Sequence, residues 1–336
     1  MVNGVFLYLA ENKCLILAVL CGSERATFLI VMRFQTTIAQ SVEVSGIGLH
    51  TAVPGRLRLV PAPADTGIVF RRTDLENFEI EAHVRNVARV SYATSLMKKG
   101  VLISTTEHLL AALYSCGVDN VYADLDAIEV PILDGSAQPF IEMLERAGLR
   151  RLRRRRRYLK VVRPLEVSEG APGTGQFRRI GIYPAENFSV RCLIDFPHPL
   201  VGRQEIELSV NRETFSRLLA PARTFGFYDD VERLRAVGLI RGGSLENAIV
   251  LTRDAVMNPG LRFPDEFGRH KALDLIGDLA LLGRPLKARV EAHKAGHALH
   301  TQLVTRLLAS PALWTETTEE AALPAAADPL PVPAAS

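Results

Sequence analysis

Midway along the chain, residues Arg150 to Arg157 are all arginine except Leu152, and no hydrophobic core can take in such a segment. The run divides the polypeptide into two halves. At 336 residues there is room for two domains, and 48% hydrophobic against 23% charged residues is the balance of a globular protein, not of a collagen, a coiled coil, a disordered chain or a multi-span membrane protein. The net charge is only +3, so the molecule as a whole has no field that would gather a polyanion. The arginine run could grip phosphates, but nucleic-acid binders add a wider basic face and stacking aromatics, and only Tyr158 stands near. The reading is a solvated linker over 150–157 and no nucleic-acid partner.

The two halves have a similar order of elements. In 32–149, Leu57 to Val60 and Gly67 to Phe70 read as strands, Thr106 to Ser115 as a helix with Leu109, Leu110 and Leu113 on one side, and Val121 to Val130 as an alternating strand. Asp134-Gly135-Ser136 reads as a turn and cap for a helix with Phe140, Ile141, Met143 and Leu144 on its apolar face. In 158–312, strands at 159–167, 179–183 and 189–195 precede helices at 212–219 and 229–237. A strand at 248–251, a helix opening at Pro264, a strand at 288–293 and a last helix from Gly296 follow. The expected fold class is α+β, with two halves alike in architecture.

The chain ends differ from the middle. Two apolar runs, Cys14 to Cys21 and Ala26 to Met32, are split by Gly22-Ser23-Glu24-Arg25, and neither reaches the roughly 18 to 20 residues of a spanning helix. Residues 1–31 read as an extension ahead of a start at Met32, with a signal peptide as the rival reading. The segment 313–336, rich in proline and alanine after Ala321, reads as a disordered tail. Cys14, Cys21, Cys116 and Cys192 make no C-x-x-C, which fits free thiols in a reducing compartment and a cytoplasmic protein without stable membrane insertion.

Chemistry concentrates in two places. Thr106-Glu107-His108 opens a helix, although Ser104 and Glu107 also have capping-box spacing. His270, Asp274 and Asp278, spaced i, i+4 and i+8, share a helix face opposite Leu273, Ile276 and Leu279. Two histidines and one aspartate leave a tetrahedral zinc one open position, and His108 is the natural partner of His270 and Asp274. A rival metal site is His293, His297 and His300, which would line one face if that segment were all helix; Gly296 argues for a bend instead.

The motifs T-T-E-H-L-L-A-A-L, D-G-S-A-Q-P-F, A-R-T-F-G-F, G-G-S-L-E-N-A-I-V, D-E-F-G-R-H-K-A-L-D-L-I-G-D-L and G-H-A-L-H-T-Q-L, with S-G-I-G-L-H-T near the start, run in order from about Phe34 to Leu308. In this the chain resembles the UDP-3-O-acyl-N-acetylglucosamine deacetylases of lipid A synthesis in Gram-negative bacteria. The resemblance implies a zinc amidohydrolase of two similar α+β domains, each a sheet layered with helices, with the active site between them, acting on a small acylated UDP-sugar in the committed step of that pathway. Fe(II) would be compatible with the same ligands, and a monomer is expected. It implies His108, His270 and Asp274 as metal ligands, Glu107 as general base and His297 as general acid beside Asp278. Thr224 would stabilise the oxyanion, Lys271 would line the site, Phe225 and Phe227 would contact substrate, and the segment from Leu234 to Gly243 would wall the acyl chain. Arg178 or Arg179 falls near the family's diphosphate-contacting lysine. One departure is His300, where the family usually has asparagine. A related zinc amidase acting on another acylated amino sugar is the second reading, and a polyanion-binding module built on the arginine run the third.

Overall fold

The computed structural model describes residues 34–318 with their side chains. The expected extension over 1–31 lies outside those residues, as does the chain from 319 onward. The first half runs β1 (Phe34–Ile38), β2 (Val42–Ile47), β3 (Pro54–Pro61), β4 (Ile68–Arg72), β5 (Phe78–Glu81), β6 (Val87–Arg89), β7 (Ser95–Lys98), β8 (Val101–Ile103), α1 (Glu107–Ser115), β9 (Val121–Leu125) and α2 (Gln138–Ala147). Five strands form a sheet in the order β2-β3-β9-β4-β5, with β9 antiparallel to β3 and parallel to β4. Its inner face follows from period-two patterning: Leu57 and Leu59 of β3 and Val121, Ala123 and Leu125 of β9 are buried, and the residues between them are not. A small sheet β8-β7-β6 stands beside it and feeds into α1.

The second half runs β10 (Leu149–Arg155), β11 (Tyr158–Val161), β12 (Leu165–Glu169), β13 (Arg178–Pro184), β14 (Ser189–Phe196), β15 (Gly202–Ser209), α3 (Arg212–Leu218), β16 (Phe225–Phe227), α4 (Tyr228–Ala236), β17 (Ile249–Leu251), α5 (Glu266–Leu279), β18 (Leu286–His293), α6 (His297–Leu308) and β19 (Trp314–Thr317). A seven-stranded mixed sheet follows the path β12-β13-β18-β11-β19, with β14 alongside β18 and β15 on β14. The chain is α+β with sheets and helices in both halves, as expected. The two cores are not separate, because Leu109, Leu110 and Leu113 of α1 and Leu273, Ile276 and Leu279 of α5 belong to one buried cluster with the sheets. Each such side chain, fully removed from water, contributes about 1.5–3 kcal/mol. The helices meet so closely at Gly277 that a Cβ there would lie 2.1 Å from the Glu107 carbonyl oxygen.

The structure differs from the sequence reading in several places: the strand expected over 159–167 is two, β11 and β12, and the N-cap of α2 is Ala137, not Ser136. The arginine run is not a solvated linker: Leu149–Arg155 is strand β10, paired antiparallel with β1, opposing Arg150 to Thr37 and Arg155 to Phe34. A ribbon strand satisfies the backbone while long side chains reach outward. Arg151 stacks 4.4 Å over the Phe34 ring, Arg154 reaches Asp65 at 2.9 Å, and Arg156 is drawn in against Asp119 at 2.7 Å. The tail does not begin at 313, since β19 pairs with β11 and the Trp314 indole N–H donates to the Leu307 carbonyl at 3.1 Å. Strand β15 went unread because its apolar residues, Ile206 and Leu208, are outnumbered by charged and polar ones.

Candidate active site

Helices α1 and α5, from opposite halves, bring their polar residues together at the crossing. His108 Nε2 lies 3.6 Å and His270 Nε2 3.4 Å from Asp274 Oδ1. The three ligand atoms lie within 4.8 Å of one another, all on buried residues. Asp274 Oδ1 is buried and makes no hydrogen bond, which would be costly unless a cation faced it. His270 Nδ1 sits 3.1 Å from the Ala222 carbonyl oxygen, so a proton on Nδ1 donates there and leaves the Nε2 lone pair for a metal. Burial pushes this imidazole down to about 3, which keeps it neutral and able to ligate. For Asp274, burial is outweighed by His270, Lys271, His108 and His297, and its carboxyl is held well below the usual range. Lys271 Nζ donates to Asp274 Oδ2 at 2.8 Å. These residues fit a divalent metal with two imidazoles and a carboxylate.

Glu107 is the first residue of α1, 3% exposed. It does not form the capping box that its spacing allowed: α1 has no side-chain cap, Ser104 Oγ pairs with Ser95 Oγ at 2.9 Å, and Glu107 Oε2 accepts the Thr94 N–H at 2.9 Å. Burial raises its pKa above the ordinary carboxylate value, with His297 and His108 opposing. His297 opens α6 just after Gly296, and its Nδ1 lies 2.6 Å from Asp278 Oδ2, with Nε2 4.0 Å from Asp274 Oδ2. Although burial disfavours the imidazolium, Asp278, Asp274 and Glu107 raise its pKa to about 9. His300 Nδ1 reaches the same Asp278 oxygen at 2.8 Å, and burial lowers its pKa. Asp278, 1% exposed, is thereby held at about 2 despite its burial.

The rival histidine set does not assemble. His293 ends β18 with its ring 6.3 Å from that of Phe177, while His297 and His300 turn to Asp278 from α6. Asp278, His297 and His300 form a second group with metal-like spacing, already joined by hydrogen bonds.

Beside the centre is a cavity of about 500 Å³, lined by Thr224, Phe225, Phe227, Leu234, Gly243 and Lys271 among others. Thr224 is pinned through its backbone, its N–H donating to the Gly135 carbonyl and its carbonyl accepting from the Ile249 N–H, both at 2.8 Å. Gly135 is required there, with φ of 83° and a Cβ that would lie 2.0 Å from the Asn247 carbonyl oxygen. Arg178 is exposed at the start of β13, opposite Glu169, and is not among the cavity-lining residues.

Sequence reasoning missed Thr94. Its N–H holds Glu107 and its hydroxyl donates to Asp278 Oδ1 at 2.6 Å, which links α1 to α5. Nothing around Ser91-Tyr92-Ala93-Thr94 marks it, because its partners lie far away in the chain.

Residues 35–309 match the family model of LpxC, UDP-3-O-acyl N-acetylglycosamine deacetylase. Relatives named UDP-3-O-acyl-N-acetylglucosamine deacetylase include that of Solibacter usitatus (strain Ellin6076), 54% identical over 284 residues, covering 84% of this chain and 94% of its own. The Anaeromyxobacter sp. (strain Fw109-5) protein is 46% identical over 280 residues, or 82% and 89% of the two chains. That of Syntrophotalea carbinolica is 44% identical over 285 residues, or 84% and 90%. With the match spanning most of its length and the polar centre where α1 and α5 cross, the chain belongs to the UDP-3-O-acyl N-acetylglycosamine deacetylase family.

Proposed function

We propose that this crossing is the site where the protein hydrolyses the N-acetyl group of a UDP-3-O-acyl-N-acetylglucosamine, releasing acetate and the free amine, with His108, His270 and Asp274 holding Zn²⁺. The observation that carries the reading is the convergence of two imidazole nitrogens on the unpaired, buried Asp274 Oδ1, with Glu107 next in chain to one ligand. Zinc in that position supplies Lewis acidity, polarising an amide carbonyl and easing deprotonation of water; Fe²⁺ would suit the same ligands.

The chain's own residues supply the rest. Glu107, fixed by the Thr94 N–H and more basic than an exposed carboxylate, takes a proton from the attacking water. His297, protonated at neutral pH and oriented by Asp278, gives a proton to the departing amine. Base and acid stand on different helices, Glu107 opening α1 and His297 opening α6. Lys271 and Thr224 at the cavity edge supply positive charge and a hydroxyl for the oxygen that becomes anionic. Phe225, Phe227, Leu234 and Gly243 shape an apolar space suited to the acyl chain, and Arg178 is the residue proposed for the diphosphate end. Among the described residues no helix is long and apolar enough to cross a membrane, and Cys116 and Cys192 are free and buried. That the protein works as a monomer on a small-molecule substrate in the cytoplasm is part of the proposal.

The test is acetate release from the acylated UDP-sugar before and after chelation, with the metal content measured. Activity that survives complete metal removal defeats the reading.

A further inference from the structure

Glu129 has no place in that chemistry, yet it is 1% exposed. Its carboxylate is met by four hydrogen-bond donors. Oε1 accepts the His50 N–H at 2.9 Å and the Thr105 hydroxyl at 2.8 Å; Oε2 accepts the Thr51 N–H at 2.9 Å and the Thr51 hydroxyl at 2.8 Å. Gly48 makes room for it, since a Cβ there would lie 2.2 Å from Oε2.

The donors come from two places that bear on catalysis. Loop 48–52 is bound to the far half: the Leu49 and His50 carbonyls accept the Gly242 and Arg241 N–H groups at 3.0 and 3.1 Å, and a Cβ on Gly242 would lie 2.2 Å from the Gly48 carbonyl oxygen. Leu49, His50, Ile240 and Gly243 all line the apolar cavity, so loop and wall move together. Thr105 holds the other end. It is a β-branched residue at φ of 58°, a conformation that must be held by its surroundings, and it stands two residues before Glu107 and three before His108.

We propose that Glu129 is a positioning residue that ties the cavity wall to the strained turn ahead of α1, so that a chain filling the cavity improves the placement of Glu107 and His108. The physical basis is that a buried carboxylate held by four hydrogen bonds cannot lose one donor without loading the others, so its two ends are not independent. Binding energy from the remote part of the substrate is thereby converted into turnover and not only into affinity. The inference rests on the assignment of the cavity to the acyl chain.

The experiment compares kcat and KM for UDP-N-acetylglucosamine carrying a long 3-O-acyl chain or a 3-O-acetyl group, in the metal-loaded wild type, Glu129→Gln, Thr105→Val and Thr105→Ser. The wild type should turn over the long-chain substrate faster. In Glu129→Gln and Thr105→Val the long-to-short ratio of kcat should fall by roughly tenfold while the long chain still lowers KM, and Thr105→Ser, which keeps the hydroxyl, should retain the ratio. Should Glu129→Gln not fold, the Thr105 pair decides alone. Parallel losses of kcat on both substrates would mean a merely structural carboxylate and would overturn the proposal. A wild type indifferent to chain length in both constants would overturn it too, and the cavity assignment with it.

Discussion

Gly277→Ala is the sharpest probe of how the site is assembled. The new Cβ would lie 2.1 Å from the Glu107 carbonyl oxygen, 2.8 Å from its carbonyl carbon and 3.0 Å from its Cα. All three are backbone atoms, so no rotamer change relieves the overlap. Comfortable contact begins near 3.5 Å, so α1 and α5 must separate by roughly 1 Å at Glu107, the proposed base. Overpacking of this kind costs about 1–3 kcal/mol. A misplacement of about 1 Å at the reacting groups costs on the order of 10²-fold in kcat. Thermal unfolding should show a Tm several degrees lower, and steady-state kinetics should show the loss in kcat with a smaller change in KM, because β16 and α4 wall the cavity while Gly277 faces α1. Gly260→Ala is the control, with nothing within 4 Å of its added carbon, and should leave both unchanged. If Gly277→Ala kept wild-type kcat and Tm, the close crossing would not be what sets Glu107 in place.

Four more outcomes are expected. The profile of kcat/KM against pH should be a bell whose acid limb lies above the ordinary glutamate value near 4.3, because burial raises Glu107, and whose basic limb falls near 9 as His297 deprotonates; a profile still rising past pH 10 would remove His297 as the acid. The same shifts bear on stability. The raised pKa of His297 contributes fully below about 6.5 and is lost as pH rises through about 9, whereas the lowered pKa of Asp278 contributes above about 4 and is lost as pH falls through about 2. Metal analysis of His270→Ala and Asp274→Ala should show a depleted centre, and His293→Ala should keep its metal; the opposite pattern would move the centre to the other histidines. Arg156→Leu leaves the half-buried Asp119 with the Thr36 N–H but without its ion-pair partner and should cost about 1–3 kcal/mol in urea unfolding, while the exposed Arg153→Gln should stay within about 0.5 kcal/mol. Equal effects would mean that the arginine run is held by backbone pairing alone.

What could be read without coordinates was whatever local periodicity encodes. The i, i+4 and i+8 spacing placed His270, Asp274 and Asp278 on one face of α5 with Leu273, Ile276 and Leu279 opposite, because helical geometry makes such neighbours regardless of the rest of the chain. Strand alternation in β3 and β9 and the Gly296 bend ahead of His297 were legible for the same reason. The motifs and their order were enough to suggest the family. Tertiary structure decided the rest, through contacts that leave no local trace. Thr94 meets Asp278 across 184 residues, and Glu129 gathers donors from loop 48–52 and from Thr105, so neither shows a pattern in its own neighbourhood. The arginine run is the clearest case: composition marks Arg150 to Arg157 as solvent-facing, which most of it is, but only the pairing of β10 with β1 and the approach of Asp119 turn the same residues from a spacer into a strand. Side-chain polarity sets which groups must meet water or a counter-charge, whereas backbone hydrogen bonding is open to any residue with a free strand beside it.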